Sequence, residues 1–512
     1  MVEKITRILE VGPEGALCDF GKDAFARLEV ELTGNGGETA VLAIGEVLRS
    51  GRLDSEPGGF RCYKKMPLSL KAGKNHFFFD IPEHVSPYPA SDPFKCRHPA
   101  ESGGEIAPFR YAQIDGYRGK CTMTRHAFFG RFDDRDTDFA CSDARLNRIW
   151  ELCKYTMKAT SVFGKFVDGE RERLPYEGDA YINQLGYLSC TCDGRIAHDT
   201  LDHLMEWSTW PTEWRLITPV LVRDYFLYSS DRRSVDRWKE PLERKLLPEL
   251  TDGDGLIRGN EKIRDIVDWP PSERDGYEFG EVNCVPNCYY YGALLAMHEL
   301  YGGGEYLRKA AAVRESIRGR MLKNGLFVDN PESRHTSLHS AVFALRFGLA
   351  EKEEIPALIE VIKSRGMACS VYVAQFLLET CYMNREAEYA LSLMTADTLR
   401  SWQNMLDKGS TITMEAWDDS VKPNQDWNHA WGAAPAAVIP RHLCGIRPLE
   451  PGFRRFVADP QTASLRSGHF RQKTACGVIA LEWSGEKKVL TVPDGAEAVF
   501  RKRILPAGTH VL

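Results

Sequence analysis

No stretch of this chain approaches the roughly 18 consecutive apolar residues that a membrane helix needs. The opening residues, MVEKITRILEVG, carry no apolar h-region, so no secretory signal is visible. As it stands the chain reads as cytoplasmic; it would read as exported if a leader had been removed. Positive charge is not in excess, the formal net charge being −6. That removes the electrostatic case for nucleic acid or an anionic membrane as partner. The 14 cysteines lack zinc-site order. Cys190 and Cys192 form one close pair and Cys284 and Cys288 another, without a second pair at ligand spacing or a His-rich tract. They read as buried free thiols of a reducing compartment. No internal repeat of about 20–50 residues is visible.

What is present is an ordinary globular composition over 512 residues, 43% apolar and 27% charged. That length predicts about two or three domains. Residues 1–135 read as β. ARLEVELTG alternates apolar and polar residues, NGGETA turns, and VLAIGEVLRS runs on as a strand. NHFFFDI and FRYAQIDGY are further strands, with Pro57-Gly58-Gly59 and the stretch from Pro87 to Pro93 as punctuation. Many short strands of this kind suggest a β-sandwich.

From about Asp143 the period becomes helical. DARLNRIWELCKYTMKATS sets Leu146, Ile149, Trp150, Cys153 and Met157 on one side. Further helices are expected near 179–191, 195–208, 214–229, 231–248, 286–301, 304–321, 334–349, 354–365, 369–383, 386–405 and 427–443. Paired helices in that number suit a toroid of inner and outer helices, the (α/α)6 barrel, over residues 136–445. After Ile446, Pro and Gly return. TACGVIALEWSG, KKVLTVP and AEAVFRKR then read as strands of a small β-sandwich module, residues 446–512. The expected fold is thus multidomain α and β, with a central barrel flanked by two β units.

Two stretches carry chemistry. VDGERERLPYEGDAY, Val167 to Tyr181, holds the carboxylates Asp168, Glu170, Glu172, Glu177 and Asp179 around Arg171 and Arg173. Pro175 stops a helix from running through it, and Gly178-Asp179 looks like a helix start. TITMEAWDDS, Thr411 to Ser420, holds Glu415 between Met414 and Trp417, with Trp427, His429 and Trp431 close behind. Rings beside carboxylates suit a sugar, whose apolar face stacks while acids hold its hydroxyls. Hydrolysis of a glycosidic bond needs one protonated carboxyl and one carboxylate. Each cluster alone also fits a solvated or Arg-paired helix terminus, and Asp179 also fits a simple helix cap. Two further groups mix rings and acids. They are DIVDWPPSERDGYEFGEVN, with Asp265, Asp268, Trp269, Glu278 and Glu281, and STWPTEW, with Trp210, Glu213 and Trp214.

These motifs resemble the bacterial α-L-rhamnosidases of glycoside hydrolase family 78. The family's acidic signature is similar to Asp168, Arg171, Glu172, Arg173, Leu174, Tyr176, Gly178 and Asp179 here. Its second acid lies in a run like TITMEAWDD, and NHAWGAAPAAVIPRHLCGIRPLEPGF resembles its last inner helix and exit. The chain departs from the usual run in having three residues between Asp168 and Glu172, and Tyr176 stands where Trp is common.

The resemblance implies an inverting exo-α-L-rhamnosidase. Glu172 would be the general acid and Glu415 the general base. Arg171 and Arg173 would face Glu172, against the like charges of Asp168 and Asp179. Asp168, Arg171, Tyr176, Asp179, Trp214, Asp268, Trp269, Trp417, Trp427, His429 and Trp431 would contact the sugar. A rhamnose-containing glycoside or oligosaccharide is the expected partner, with no nucleic acid, no membrane, no metal and no cofactor. Oligomeric state is left open. The alternatives are another exo-glycosidase on the same barrel, acting on a different deoxy or uronic sugar, and a non-catalytic carbohydrate-binding relative.

Overall fold

The computed structural model describes residues 1–88 and 94–512. Of the Pro87 to Pro93 punctuation, residues 89–93 lie outside the described residues. The N-terminal region is a seven-stranded antiparallel sheet. Its spine is the strand Ala16–Gly34. One edge of this strand pairs first with Ala107–Asp115 and then with Gly73–Phe78. The other edge pairs with Gly119–Phe128, which also takes Val2–Val11. A register shift between Asp19 and Ala24 bends the spine, as bulges do. Alternating residues such as Leu28, Val30 and Leu32 face a core shared with Ala159 and Ile412 of the helical region. The expected run VLAIGEVLRS is not one strand. It ends at Gly45, and Leu48–Arg49 pairs instead with Arg52–Leu53 in a short hairpin.

Helices follow from Ala144–Ala159, where Asp143 accepts the Arg145 and Leu146 amides at 2.8 and 3.0 Å and so caps the first turn. Two kinds of helix alternate. Glu177–Cys190 is buried along its whole length, and Val371–Met383 is buried up to its last residue. Gly304–Met321 buries only Ala310, Val313, Ile317 and Met321, one stripe at helical spacing. The first kind needs neighbours all round and the second needs them on one side. The buried helices Glu177–Cys190, Thr212–Ser229, Cys284–Tyr301, Leu338–Arg346, Val371–Met383 and Pro435–Val438 each pack on the next, and the last packs on the first.

Three expected helices differ. The stretch 231–248 divides into Arg232–Arg237 and Lys239–Lys245, which puts Pro241 in a first turn, where its missing N–H costs nothing. The stretch 386–405 divides into Ala387–Met394 and Trp402–Asp407, the second capped by the Ser401 hydroxyl on the Asn404 amide. Residues 427–434 carry no α-helix; Pro435–Val438 then runs into a wide turn over Ile439–Leu443. Among the described residues no helix is long and apolar enough to cross a membrane.

The tail from Ile446 forms two sheets. The four-stranded one contains the parallel pair Arg455–Ala458 and Glu497–Phe500. The five-stranded one borrows Thr137–Cys141, from before the first helix, against Ser467–Thr474. The 14 cysteines are all free, and Cys284 Sγ lies 3.9 Å from Cys288 Sγ, a thiol–thiol contact and not a disulfide.

Candidate active site

The loops that precede the buried helices gather at one end of the helical region. Between them lies a cleft of about 770 Å³, lined by Asp168, Arg171, Glu172, Tyr176, Asp179 and Trp214 together with residues of the loops 207–210, 264–270 and 421–431.

The first motif is a closed loop. The Asp168 amide donates to Leu174 O at 3.0 Å, and Asp168 Oδ1 accepts the Leu174 amide at 2.9 Å. Its other oxygen, Oδ2, is buried without a protein partner among the described residues. Gly169, at φ 105°, lets the loop pass the second motif, since a Cβ there would stand 2.6 Å from Asp426 Oδ2. Arg171 then points inward. Its Nε and Nη2 meet Glu172 Oε1 at 3.1 and 3.0 Å, and its Nη1 meets Glu415 Oε2 at 2.7 Å. Arg173 points the other way, its φ of 55° reversing the chain. It pairs with Glu170 and Glu105, so it ties the loop to the N-terminal region rather than facing Glu172.

The Tyr176 hydroxyl donates to Glu172 Oε2. Burial, then the charges of Asp168 and Glu172, push the Tyr176 pKa up, so the phenol keeps its proton. Burial and the neighbouring Glu172 charge also raise the Asp168 carboxyl well above its ordinary range. Glu415 is raised by burial against the opposing charge of Arg171. Its Oε1 lies 3.4 Å from Lys422 Nζ, and its Oε2 accepts the Asp426 amide at 3.3 Å.

His429 stands between two carboxylates, with Nε2 2.8 Å from Asp179 Oδ1 and Nδ1 3.2 Å from Asp426 Oδ1. Burial alone would lower its pKa, but Asp426 and Asp179 raise it well above the ordinary value, so the ring is an imidazolium. Glu415, Asp426 and His429 lie close enough to be read as a ligand trio. Both ring nitrogens are committed to carboxylates, however, and Arg171 and Lys422 already neutralise Glu415.

The aromatic walls come from four segments. Trp214 meets Tyr176 and Trp431 edge-on, at 5.7 and 6.4 Å between centroids. Trp431 stacks on Tyr372, and Trp269 completes the lining. Gly178 makes room for Trp214, because a Cβ there would stand 2.5 Å from its ring. Trp214 Nε1, like Asp168 Oδ2, is buried with no protein partner among the described residues. Among the described residues the cleft thus offers one buried donor and one buried acceptor without partners.

Nine of the residues expected to contact the substrate or to react lie together here: Asp168, Arg171, Glu172, Tyr176, Asp179, Trp214, Trp269, His429 and Trp431. Glu415 joins them. Three others do not line the cleft. Asp268 is fully engaged by His339 at 2.8 Å and by the Ser370 amide at 2.9 Å and hydroxyl, which anchors the start of helix Val371–Met383. Trp417 is buried edge-on to Trp402, with Nε1 on Cys369 O. Trp427 lies under the Arg61 guanidinium, where the N-terminal region meets the second motif. Each is an aromatic or acid one or two residues from a true lining residue, and chain proximity could not tell them apart.

Lys422, Asp426, Trp207, Arg215 and Arg264 also belong to the site, and no sequence motif singles them out except Asp426, three residues before His429. The N-terminal contribution has no sequence signal either. Phe60 lies 5.7 Å from the Arg171 guanidinium, Arg61 pairs with Asp419 at 2.7 Å, and Glu46 accepts from Asn428 at 3.2 Å.

The family model described as the bacterial alpha-L-rhamnosidase 6 hairpin glycosidase domain matches residues 134–443. An alpha-L-rhamnosidase of Alteromonas sp. (strain LOR) is 19% identical, over 98% of this chain and 57% of that protein. Among solved structures, the alpha-L-rhamnosidase of Streptomyces avermitilis complexed with L-rhamnose matches with a TM-score of 0.77 at 14% identity, over 100% of this chain and 53% of that one. The GH78 rhamnosidase of Bacillus sp. GL1 gives 0.73 at 18%, over 95% and 52%. The rhamnosidase of Klebsiella oxytoca with rhamnose bound gives 0.65 at 14%, over 85% and 88%. The chain therefore spans about half the length of several relatives that it matches, and at these identities the structural likeness is one of fold.

Proposed function

Since the chain belongs to the bacterial alpha-L-rhamnosidase six-hairpin glycosidase family, we propose that it hydrolyses rhamnosides, releasing terminal α-L-rhamnose with inversion at the anomeric carbon. The observation that carries this reading is the pair Glu172 and Glu415, held by one guanidinium in an aromatic cleft. We read the helical region, residues 136–445, as an (α/α)6 barrel between an N-terminal β-sandwich, 1–135, and a C-terminal β module, 446–512. The closed succession of buried helices supports the barrel. The strand Thr137–Cys141 ties the barrel's entrance to the tail.

In this mechanism Glu172 gives its proton to the glycosidic oxygen. The Tyr176 hydroxyl and Arg171 fix the carboxyl's two oxygens in place. Glu415, ionised beside Arg171 and Lys422, takes a proton from water on the opposite face of the ring. Inversion requires room for that water, with carboxyls about 6.5–9.5 Å apart. The Arg171 guanidinium lies between the two acids and contacts both. Asp168 Oδ2, Trp214 Nε1 and the Asp179–His429 pair bind sugar hydroxyls, while Trp431 and Trp269 cover its apolar face.

Proton NMR of an α-L-rhamnoside digest tests the reading. It expects free L-rhamnose appearing first as the β-anomer. An α-anomer formed first would overturn the role of Glu415. Release of a different sugar from a panel of aryl glycosides, with none from the rhamnoside, would overturn the substrate.

A further inference from the structure

Inside the cleft the other cations each meet carboxylates. Arg171 and Lys422 answer Glu172 and Glu415, and His429 answers Asp179 and Asp426. Two further arginines, Arg215 and Arg264, line the same cleft, and among the described residues neither pairs with a carboxylate. Arg215 spends only its Nε, on Thr209 O at 2.5 Å. The Arg264 guanidinium lies 4.9 Å from the Trp210 ring centre, and both side chains are exposed.

The two arginines stand on segments joined to each other. The Arg264 amide donates to Trp210 O at 3.2 Å, the Thr212 amide to Arg264 O at 3.0 Å, and the Arg215 amide to Pro211 O at 3.3 Å. The acids beside them face elsewhere. Glu213 accepts the Ile266 and Val267 amides, and Asp265 accepts from Asn283 at 2.8 Å. So one wall of the cleft carries two unanswered guanidinium groups, with Trp207 and Trp210 beside them as platforms.

A guanidinium with free Nη atoms matches a planar carboxylate, and burial of the pair under a sugar ring strengthens it. We infer that this wall binds a carboxylate on the sugar attached to the rhamnose, so that the preferred substrate is a rhamnosyl uronide. This rests on the rhamnosidase reading above. The leaving group then carries the charge: Glu172 protonates the bridging oxygen, water adds to the anomeric carbon, and the uronic acid departs with its carboxylate still on Arg215 and Arg264.

The test compares kcat/KM on a rhamnosyl-hexuronate disaccharide, its carboxyl-reduced neutral counterpart, and a sulfate ester of that counterpart. The expected result is a preference for the uronate of about tenfold or more, expressed mainly in KM. It should shrink as salt rises from about 0.05 to 0.5 M. R215Q and R264Q should each bring the uronate-to-neutral ratio towards one. Equal kcat/KM on uronate and neutral substrate, a ratio unmoved by both variants, or a preference for the sulfate ester would overturn the inference while leaving the rhamnosidase reading intact. If no disaccharide and no aryl rhamnoside is cleaved, that reading falls. Calorimetric binding of the uronate disaccharide against its neutral counterpart then decides the carboxylate site by itself: tighter uronate binding lost in R264Q supports it, and equal binding refutes it.

Discussion

Arg171 Nη1 reaches across 244 residues of sequence to Glu415 Oε2, at 2.7 Å. The other edge of the same guanidinium holds the adjacent Glu172. One cation therefore ties the two candidate reacting carboxyls to each other. A planar group with a fixed fork is suited to that task, and a lysine is not.

Removing either carboxyl should remove turnover. Glu172→Gln and Glu415→Gln are each expected to lower kcat on an aryl α-L-rhamnoside by about 10²–10⁴-fold. Circular dichroism and thermal midpoint should stay close to wild type. Near-normal turnover in either variant would exclude that residue from the reaction.

The acidic limb of the pH profile should belong to Glu415. Its carboxyl is raised by burial, although Arg171 opposes the rise. The base must be ionised, so kcat/KM should fall as pH drops through a value above the ordinary glutamate pKa of about 4.3. In Arg171→Lys the opposing charge no longer bridges both acids, so the limb should move to higher pH and kcat should drop. A limb that stays in place in this variant would mean that Arg171 serves the fold alone.

His429 should hold the cleft floor together. Its imidazolium lies between Asp179 and Asp426, all three buried. His429→Gln leaves two buried acids without their cation, at a cost of about 3–5 kcal/mol, measurable by urea unfolding. The folded pKa of His429 is raised well above its ordinary value. Its contribution is thus complete below the unfolded pKa of about 6.5 and is lost as pH rises through the folded one. Wild type should weaken across that alkaline window more than the variant does.

Gly178 should resist any side chain. A methyl group there meets the Trp214 ring at 2.5 Å. Gly178→Ala should displace the tryptophan, destabilise by about 1–3 kcal/mol and raise KM more than it lowers kcat. Unchanged KM would show that Trp214 lies outside the sugar's path.

The change from β to helical period near Asp143, and back to β after Ile446, was legible because side-chain alternation and helical stripes are local properties of the chain. So were the two acidic motifs. Helix breaks were less legible. The divisions at Trp238 and before Trp402 depend on Pro241 and on the Ser401 cap, which helical periodicity alone does not register.

By itself the sequence determined which residue types could react, and that they lie in two segments far apart along the chain. It also placed Tyr176, Trp214 and Trp431 among the candidate sugar contacts. Only the tertiary structure decided which neighbours in sequence are neighbours in space. It turned Arg171 inward and Arg173 outward, because a positive φ at Arg173 reverses the chain. It drew Asp268, Trp417 and Trp427 into packing and capping, since each found partners that no local pattern records. It added Lys422, Asp426, Arg215 and Arg264, whose significance lies in which charges they meet or fail to meet. Charge matching is a sum over segments brought together by folding, and a linear sequence carries it only implicitly.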